Sequence, residues 1–110
     1  AWMLYARGDA AAALPEAERA NELAPDNPVV MDTLGVVLLE LGETERALRL
    51  IRRAADRLPD NPQVAYHLAR AYAQADRKDE AREILTAVLA KHQSFDERDR
   101  AEALLTELGG

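Results

Sequence analysis

Few residues in this chain are of types and spacings that could do catalytic chemistry. It has two histidines, His67 and His92, and no cysteine. Neither histidine sits in an H-x-x-x-H or H-E-x-x-H frame, so they cannot form a helical pair of zinc ligands. Either could ligate a surface metal on its own; the alternative is a solvated side chain. Without cysteine there is no disulfide framework and no thiolate metal site. Asp32, Glu40, Glu43 and Glu45 lie close together in the sequence. Nothing in their pattern sets two of them in an apolar cleft, the arrangement that separates two carboxyl pKa values for acid–base work. There is no glycine-rich phosphate loop and no nucleophile elbow. The residues therefore point away from an enzyme: no catalytic residue, no metal and no cofactor is expected.

Two other groups suit binding. Arg46, Arg49, Arg52, Arg53 and Arg57 fall within fourteen residues. They read either as an anion-binding stripe for phosphate or a membrane surface, or as a solvated outer face. In the second case Glu45–Arg49 and Arg52–Asp56 would pair at the favourable i,i+4 spacing. Tyr66 and Arg70 are also four apart and share one helix face. A rigid ring with a polar tip and a planar donor fork are the side chains enriched in binding hot spots. The net charge of −6 argues against nucleic acid, which requires a positive footprint. No apolar run approaches the ~20 residues of a membrane span, and no signal peptide is visible. Both cytoplasm and periplasm remain open. The chain lacks an initiator Met and opens inside a helical pattern, so it reads as a piece of a longer protein.

The elements that must position these residues come from an internal repeat. Ala24-Pro25-Asp26-Asn27-Pro28 returns as Leu58-Pro59-Asp60-Asn61-Pro62 after 34 residues. The same offset carries Gly8-Asp9 onto Gly42-Glu43 and Asp76-Arg77, Ala13 onto Ala47 and Ala81, and Leu34 onto Leu68. A constant period of about 34 marks an array of helix–turn–helix units that cover one another's apolar faces. Residues 1–7 read as the end of a helix stopped at Gly8, with Asp9 capping a helix from Ala10 to Leu23 that bends at Pro15. Asn27-Pro28 and Asn61-Pro62 are N-cap and first-turn signals. They open a helix carrying Met31, Leu34, Leu38 and Leu41, and another carrying Ala65, Leu68, Tyr72 and Ala75. Thr44 is expected to cap a helix to Arg57 with Ala47, Ile51, Ala54 and Leu58 inward. A helix from Lys78 to Lys91 buries Ala81, Leu85 and Val88. Ser94-Phe95-Asp96-Glu97 has the form of a capping box before a last amphipathic helix carrying Ala101, Leu104, Leu105 and Leu108, which suits a solenoid cap.

Residues 28–61 resemble a tetratricopeptide repeat (TPR). The residues carrying the resemblance are Met31, Leu34, Gly35, Leu38, Ala47, Ile51, Ala54 and Pro59. They recur as Ala65, Leu68, Ala69, Tyr72, Ala81, Leu85, Val88 and Gln93 in residues 62–95. Residues 1–27 are similar to the later part of such a repeat through Leu4, Ala13, Ala17, Ala20 and Pro25. The resemblance implies an all-α solenoid of TPR helix–turn–helix repeats: a truncated repeat (1–27), two full repeats (28–61 and 62–95) and a C-terminal capping helix (96–108). It implies that the first helix of each pair lines a concave groove for a protein or peptide. The groove positions fall on Trp2, Tyr5, Val29, Asp32, Val36, Leu39 and Glu40, then Gln63, Tyr66, Arg70, Ala73 and Gln74. The alternative for these residues is packing between repeats. The family's carboxylate clamp for chaperone tails needs Lys and Asn where this chain has Asp32 and Val36, so such tails are disfavoured.

A second resemblance covers Ala81-Arg82-Glu83-Ile84-Leu85, Phe95-Asp96-Glu97-Arg98 and Ala101-Glu102-Ala103-Leu104-Leu105. This stretch resembles the C-terminal end of bacterial TPR lipoproteins of the PEP-CTERM/exosortase type, which implies a periplasmic, membrane-tethered parent. The sequence thus leads to a protein-interaction scaffold that binds a peptide or helix in a concave groove. The alternative is a structural module of a larger, envelope-associated bacterial protein, self-associating through an open N-terminal end.

Overall fold

The computed structural model describes the backbone of residues 2–109 and the side chains of residues 9–109. Six helices follow one another: α1 (Trp2–Leu23), α2 (Pro28–Glu40), α3 (Thr44–Arg57), α4 (Pro62–Gln74), α5 (Lys78–Lys91) and α6 (Arg98–Glu107). Each packs on the next, and α2 also touches α4. This is an all-α helical solenoid in which α2 and α4, the first helices of successive hairpins, lie side by side.

The helix ends follow from local chemistry. Asn27 Oδ1 accepts from the N–H groups of Val29 at 2.9 Å and Val30 at 3.3 Å, and Asn61 Oδ1 accepts from Val64 N–H at 3.1 Å. Pro28 and Pro62 follow as first helical residues, where a missing donor costs nothing. At the other end of α2, Gly42 takes φ 84°. Its N–H reaches Leu39 O at 3.1 Å, and Glu43 N–H reaches Leu38 O at 2.9 Å. Asp76 takes the same left-handed turn at φ 64°, donating to Ala73 O at 3.1 Å while Arg77 N–H donates to Tyr72 O at 2.8 Å. Both are the paired bonds of a Schellman stop. The second is made without glycine, as the offset of 34 requires.

Three expected ends differ. Gly8-Asp9 does not divide the first helix: α1 runs through both residues and through Pro15. An interior glycine costs only about 1 kcal/mol relative to alanine, and Ala10 to Ala13, the strongest helix formers, continue the helix. Thr44 is not an N-cap. It is the first residue of α3, the cap position is Glu43 with no side-chain bond, and the Thr44 hydroxyl is used elsewhere. The capping box does not close either. α6 begins at Arg98 with no side-chain cap, because Arg98 reaches back to the end of α5. Its Nη1 donates to Leu89 O at 3.2 Å and His92 O at 2.6 Å, filling two of the orphan carbonyls that every helix C-terminus leaves.

The core follows the repeat stripe. Leu34, Leu38, Ala47, Ile51, Ala54, Ala69, Ala81 and Leu85 are at most 1% exposed. Met31, Ala54 and Val64 form a second cluster against Leu50 and Leu58. α4 is buried more widely than its expected stripe: Val64, Tyr66, Ala69, Ala71 and Tyr72 are all in the interior, while Ala65, Leu68 and Ala75 are half-buried. A helix in contact with α2, α3 and α5 has little surface left for water. Phe95, Leu104, Leu105 and Leu108 close the C-terminal side of the core, and Arg82 Nη1 donates to Leu108 O at 2.6 Å.

Candidate functional site

The face of α2 and α4 that carries the expected groove positions is held by polar contacts between the two helices. His67 Nδ1 lies 2.9 Å and 3.1 Å from the Asp32 carboxylate oxygens. A carboxylate only accepts, so a shared contact of this kind requires a hydrogen on Nδ1. Their side chains are 17% and 14% exposed, so losing either partner would strand a largely desolvated group at a cost of about 1–3 kcal/mol. One end of α2 has a second pair, Arg70 Nη2 on Glu40 Oε1 at 3.3 Å. Gln74 Nε2 donates to Leu39 O at 3.1 Å and to Thr44 Oγ1 at 2.7 Å. Gln63 Nε2 donates to Glu97 Oε2 at 3.4 Å, tying α4 to the segment before α6.

The structure therefore divides the sequence-predicted groove residues into three sets. Asp32, Glu40, Arg70 and Gln74 are brought together, but mainly to hold α2 against α4. Leu39 and Tyr66 are core: they are 2% and 7% exposed and belong to the main apolar cluster. Both were expected off the core. Leu39 is covered because α2 has helices on both sides. Tyr66 is covered because α6 folds back toward α4, bringing Glu97 onto Gln63. Burial pushes the Tyr66 phenol up, against the smaller opposing pull of Arg70 and Arg100. The Arg70 guanidinium carbon lies 5.8 Å from the Tyr66 ring centre, within cation–π range. The third set faces outward: Val29 is 62% exposed, Gln63 is exposed and Val36 is half-buried. Trp2 and Tyr5 lie outside the residues whose side chains are described.

Sequence reasoning did not select His67, Thr44 or Glu97 for this face. Glu97 Oε1 is buried without a hydrogen-bond partner among the described residues.

The opposite side carries the arginines of α3. Arg46 pairs with Glu18 of α1 at 3.3 Å. Arg57 donates to Asp26 O at 3.0 Å and stands 3.8 Å from the Asp26 carboxylate. The expected Glu45–Arg49 and Arg52–Asp56 pairs are not formed. Arg49, Arg52 and Arg53 are exposed, with no ion-pair partner among the described residues.

An apolar cleft of about 280 Å³ lies where α4 meets α5, lined in part by Pro59, Ala65, Ile84 and Val88. Its cause is legible in the repeat. Ala65 stands where Met31 stands one unit earlier, and Met31 is 1% exposed. Lys91 at the rim pairs with Asp60 and holds its carboxyl below the usual range. Among the described residues no group of three His, Asp or Glu side chains could hold a metal ion, and no helix is long and apolar enough to cross a membrane.

Comparison with known proteins agrees with this geometry. A family model described as tetratricopeptide repeat matches residues 4–57 and 38–108. PcrH, solved in complex with the chaperone binding region of PopD, superposes with a TM-score of 0.76 at 22% identity, over 96% of this chain and 82% of its own. MamA, in its MSR-1 C2 structure, superposes with a TM-score of 0.70 at 27% identity, over 91% of this chain and 57% of its own. No curated protein matches the chain in sequence.

Proposed function

Because the chain belongs to the tetratricopeptide repeat family, whose members are typically protein-interaction modules and not enzymes, we propose that it is a non-catalytic scaffold that takes a peptide or helix of a partner against the groove face of α2 and α4. The observation that carries this reading is the pairing of an exposed apolar residue with fixed polar groups on one face. Val29 is 62% exposed, and Val36 is half-buried further along α2. Arg70 is held by Glu40 and lies over the Tyr66 ring. Side chains already fixed in place lose less entropy when a partner binds. PcrH, a protein of the same fold, was solved with a segment of PopD, which makes a peptide the reasonable class of partner to try.

The test is selection of random peptides displayed on phage against the immobilised chain, followed by affinity measurement on variants. Val29→Asp and Arg70→Ala should each weaken the selected peptides by about 1–3 kcal/mol. Their circular-dichroism melts should change much less for Val29→Asp, an exposed position. Peptides that bind both variants as well as the parent would place the binding surface away from this groove.

A further inference from the structure

Charge is distributed very unevenly along the chain. α3 holds five arginines against Glu45 and Asp56, a net of +3 inside a chain of −6, which leaves −9 on the remainder. At the equivalent positions of α5, Arg46, Arg49, Arg53 and Arg57 become Glu80, Glu83, Ala87 and Lys91, and the basic and acidic residues of α5 balance. Both helices pack in the same place in successive hairpins, so the fold does not require the arginines.

Their spacing places Arg46, Arg49, Arg53 and Arg57 along one flank, opposite the buried Ala47, Leu48, Ile51 and Ala54. The two ends are fixed, Arg46 by Glu18 and Arg57 by Asp26. Arg49 and Arg53 between them are exposed and have no ion-pair partner among the described residues. They are four residues apart, about 6 Å along the axis.

We propose that this outer face of α3 is a second interaction surface, distinct from the groove, that binds an acidic polypeptide segment. That segment would carry carboxylates about 6 Å apart, the spacing of i and i+4 on a helix or of alternate residues on a strand. Bidentate arginine–carboxylate contacts fit Arg49 and Arg53. The width of the stripe selects the partner. A bilayer or a nucleic-acid duplex is a broad anionic surface and would also face the −9 carried by the rest of the chain. A single segment touches only the stripe, and charges beyond roughly 8 Å are screened at physiological salt. The face also lacks an apolar anchor for a bilayer, since the exposed large hydrophobics among the described residues are Leu23 and Val29, neither of them on α3.

The experiment uses the whole chain and a labelled helical peptide with glutamates at i, i+4 and i+8, read by fluorescence anisotropy. Binding at 50 mM NaCl should weaken at least tenfold by 300 mM. Arg49→Ala/Arg53→Ala should weaken it at least tenfold at 50 mM, with an unchanged melting curve. Glu83→Arg/Ala87→Arg, which copies the stripe onto α5, should create a second salt-sensitive site. Absence of binding at 50 mM, or binding indifferent to the double alanine change, overturns the proposal. So does equal, Arg49- and Arg53-dependent binding to phosphatidylserine vesicles. A light-scattering mass that shows self-association through the stripe, lost on Arg49→Glu/Arg53→Glu, assigns the face to a second copy of the chain and overturns it as well.

Discussion

Gly35 offers a sharp test of how these helices are packed. A Cβ built at Gly35 would overlap Ile51 Cγ1, stand 3.1 Å from Ile51 Cδ1 and lie 3.4 Å from the Ala47 carbonyl oxygen. Ile51 is fully buried and branched at Cβ, which restricts its χ1 and keeps it from swinging aside. One unit later the same contact is made by Ala69 and Leu85, both fully buried. An extra methyl is therefore accommodated where the facing residue is not β-branched. Gly35→Ala should gain about 1 kcal/mol of helix propensity and lose about 1–3 kcal/mol to overpacking, a net loss near 1 kcal/mol. Ile51→Leu alone should also cost about 1 kcal/mol, as a volume-conserving swap. The double variant recreates the Ala69–Leu85 pairing, so the overlap disappears and the propensity gain remains, which brings the total close to zero. The coupling between the two sites should be about 2 kcal/mol, within the range for residues in contact. Urea denaturation of the four proteins, with slopes compared to check two-state behaviour, measures it. Effects that add within about 0.5 kcal/mol, or a Gly35→Ala variant more stable than the parent, would falsify the claim that Ile51 sets the requirement for glycine.

Two further predictions follow from the same register. Ala65→Met should fill the cleft beside Ile84 and Val88 as Met31 fills its counterpart, raising stability by about 0.5–2 kcal/mol; a lower denaturation midpoint would mean that the cleft walls do not match those around Met31. Tyr66 is core, so Tyr66→Ala should cost about 3–5 kcal/mol, while Tyr66→Phe should be within about 0.5 kcal/mol at neutral pH. Burial raises the Tyr66 phenol above its ordinary 10.0. Its contribution is therefore fully present below that value and is lost as pH rises through the higher folded value. Alkaline denaturation of the parent should be steeper than that of Tyr66→Phe, and identical pH profiles would count against the burial.

Most of the solenoid was legible because equivalent residues recur at one offset. Offset 34 located both asparagine caps and the left-handed turn at Asp76, where composition alone would look for glycine. It also placed Met31, Leu34, Leu38, Ala47, Ile51, Ala54, Ala81 and Leu85 inside. Elsewhere the signals misled, even at Gly8, which the offset matches to Gly42 and Asp76. Gly8 looked like a stop, but an alanine run follows it. Ser94 looked like a cap, but Arg98 had carbonyls of α5 to satisfy. Thr44 looked like a cap from its position alone, whereas its hydroxyl serves Gln74 from the next hairpin.

The groove was harder to read for a physical reason. A period identifies residues that occupy equivalent places, while a contact joins residues that occupy different places on neighbouring helices. Asp32 meets His67 and Leu39 O meets Gln74 at a separation of 35; Glu40 meets Arg70 and Thr44 meets Gln74 at 30. These are one more and four fewer than the period, so each contact falls on the residue beside the counterpart or about one helical turn before it. On the outer side, Arg57 to Asp26 and Lys91 to Asp60 are both separated by 31. A signal was thus available in the sequence: oppositely charged or hydrogen-bonding residues at the period plus one or minus four, Asp32 with His67 and Glu40 with Arg70, mark the polar seam between α2 and α4. The minus-31 position of Arg49 is Glu18, but Glu18 pairs with Arg46 at 3.3 Å instead, and this leaves the charge of Arg49 for solvent or for an acidic partner.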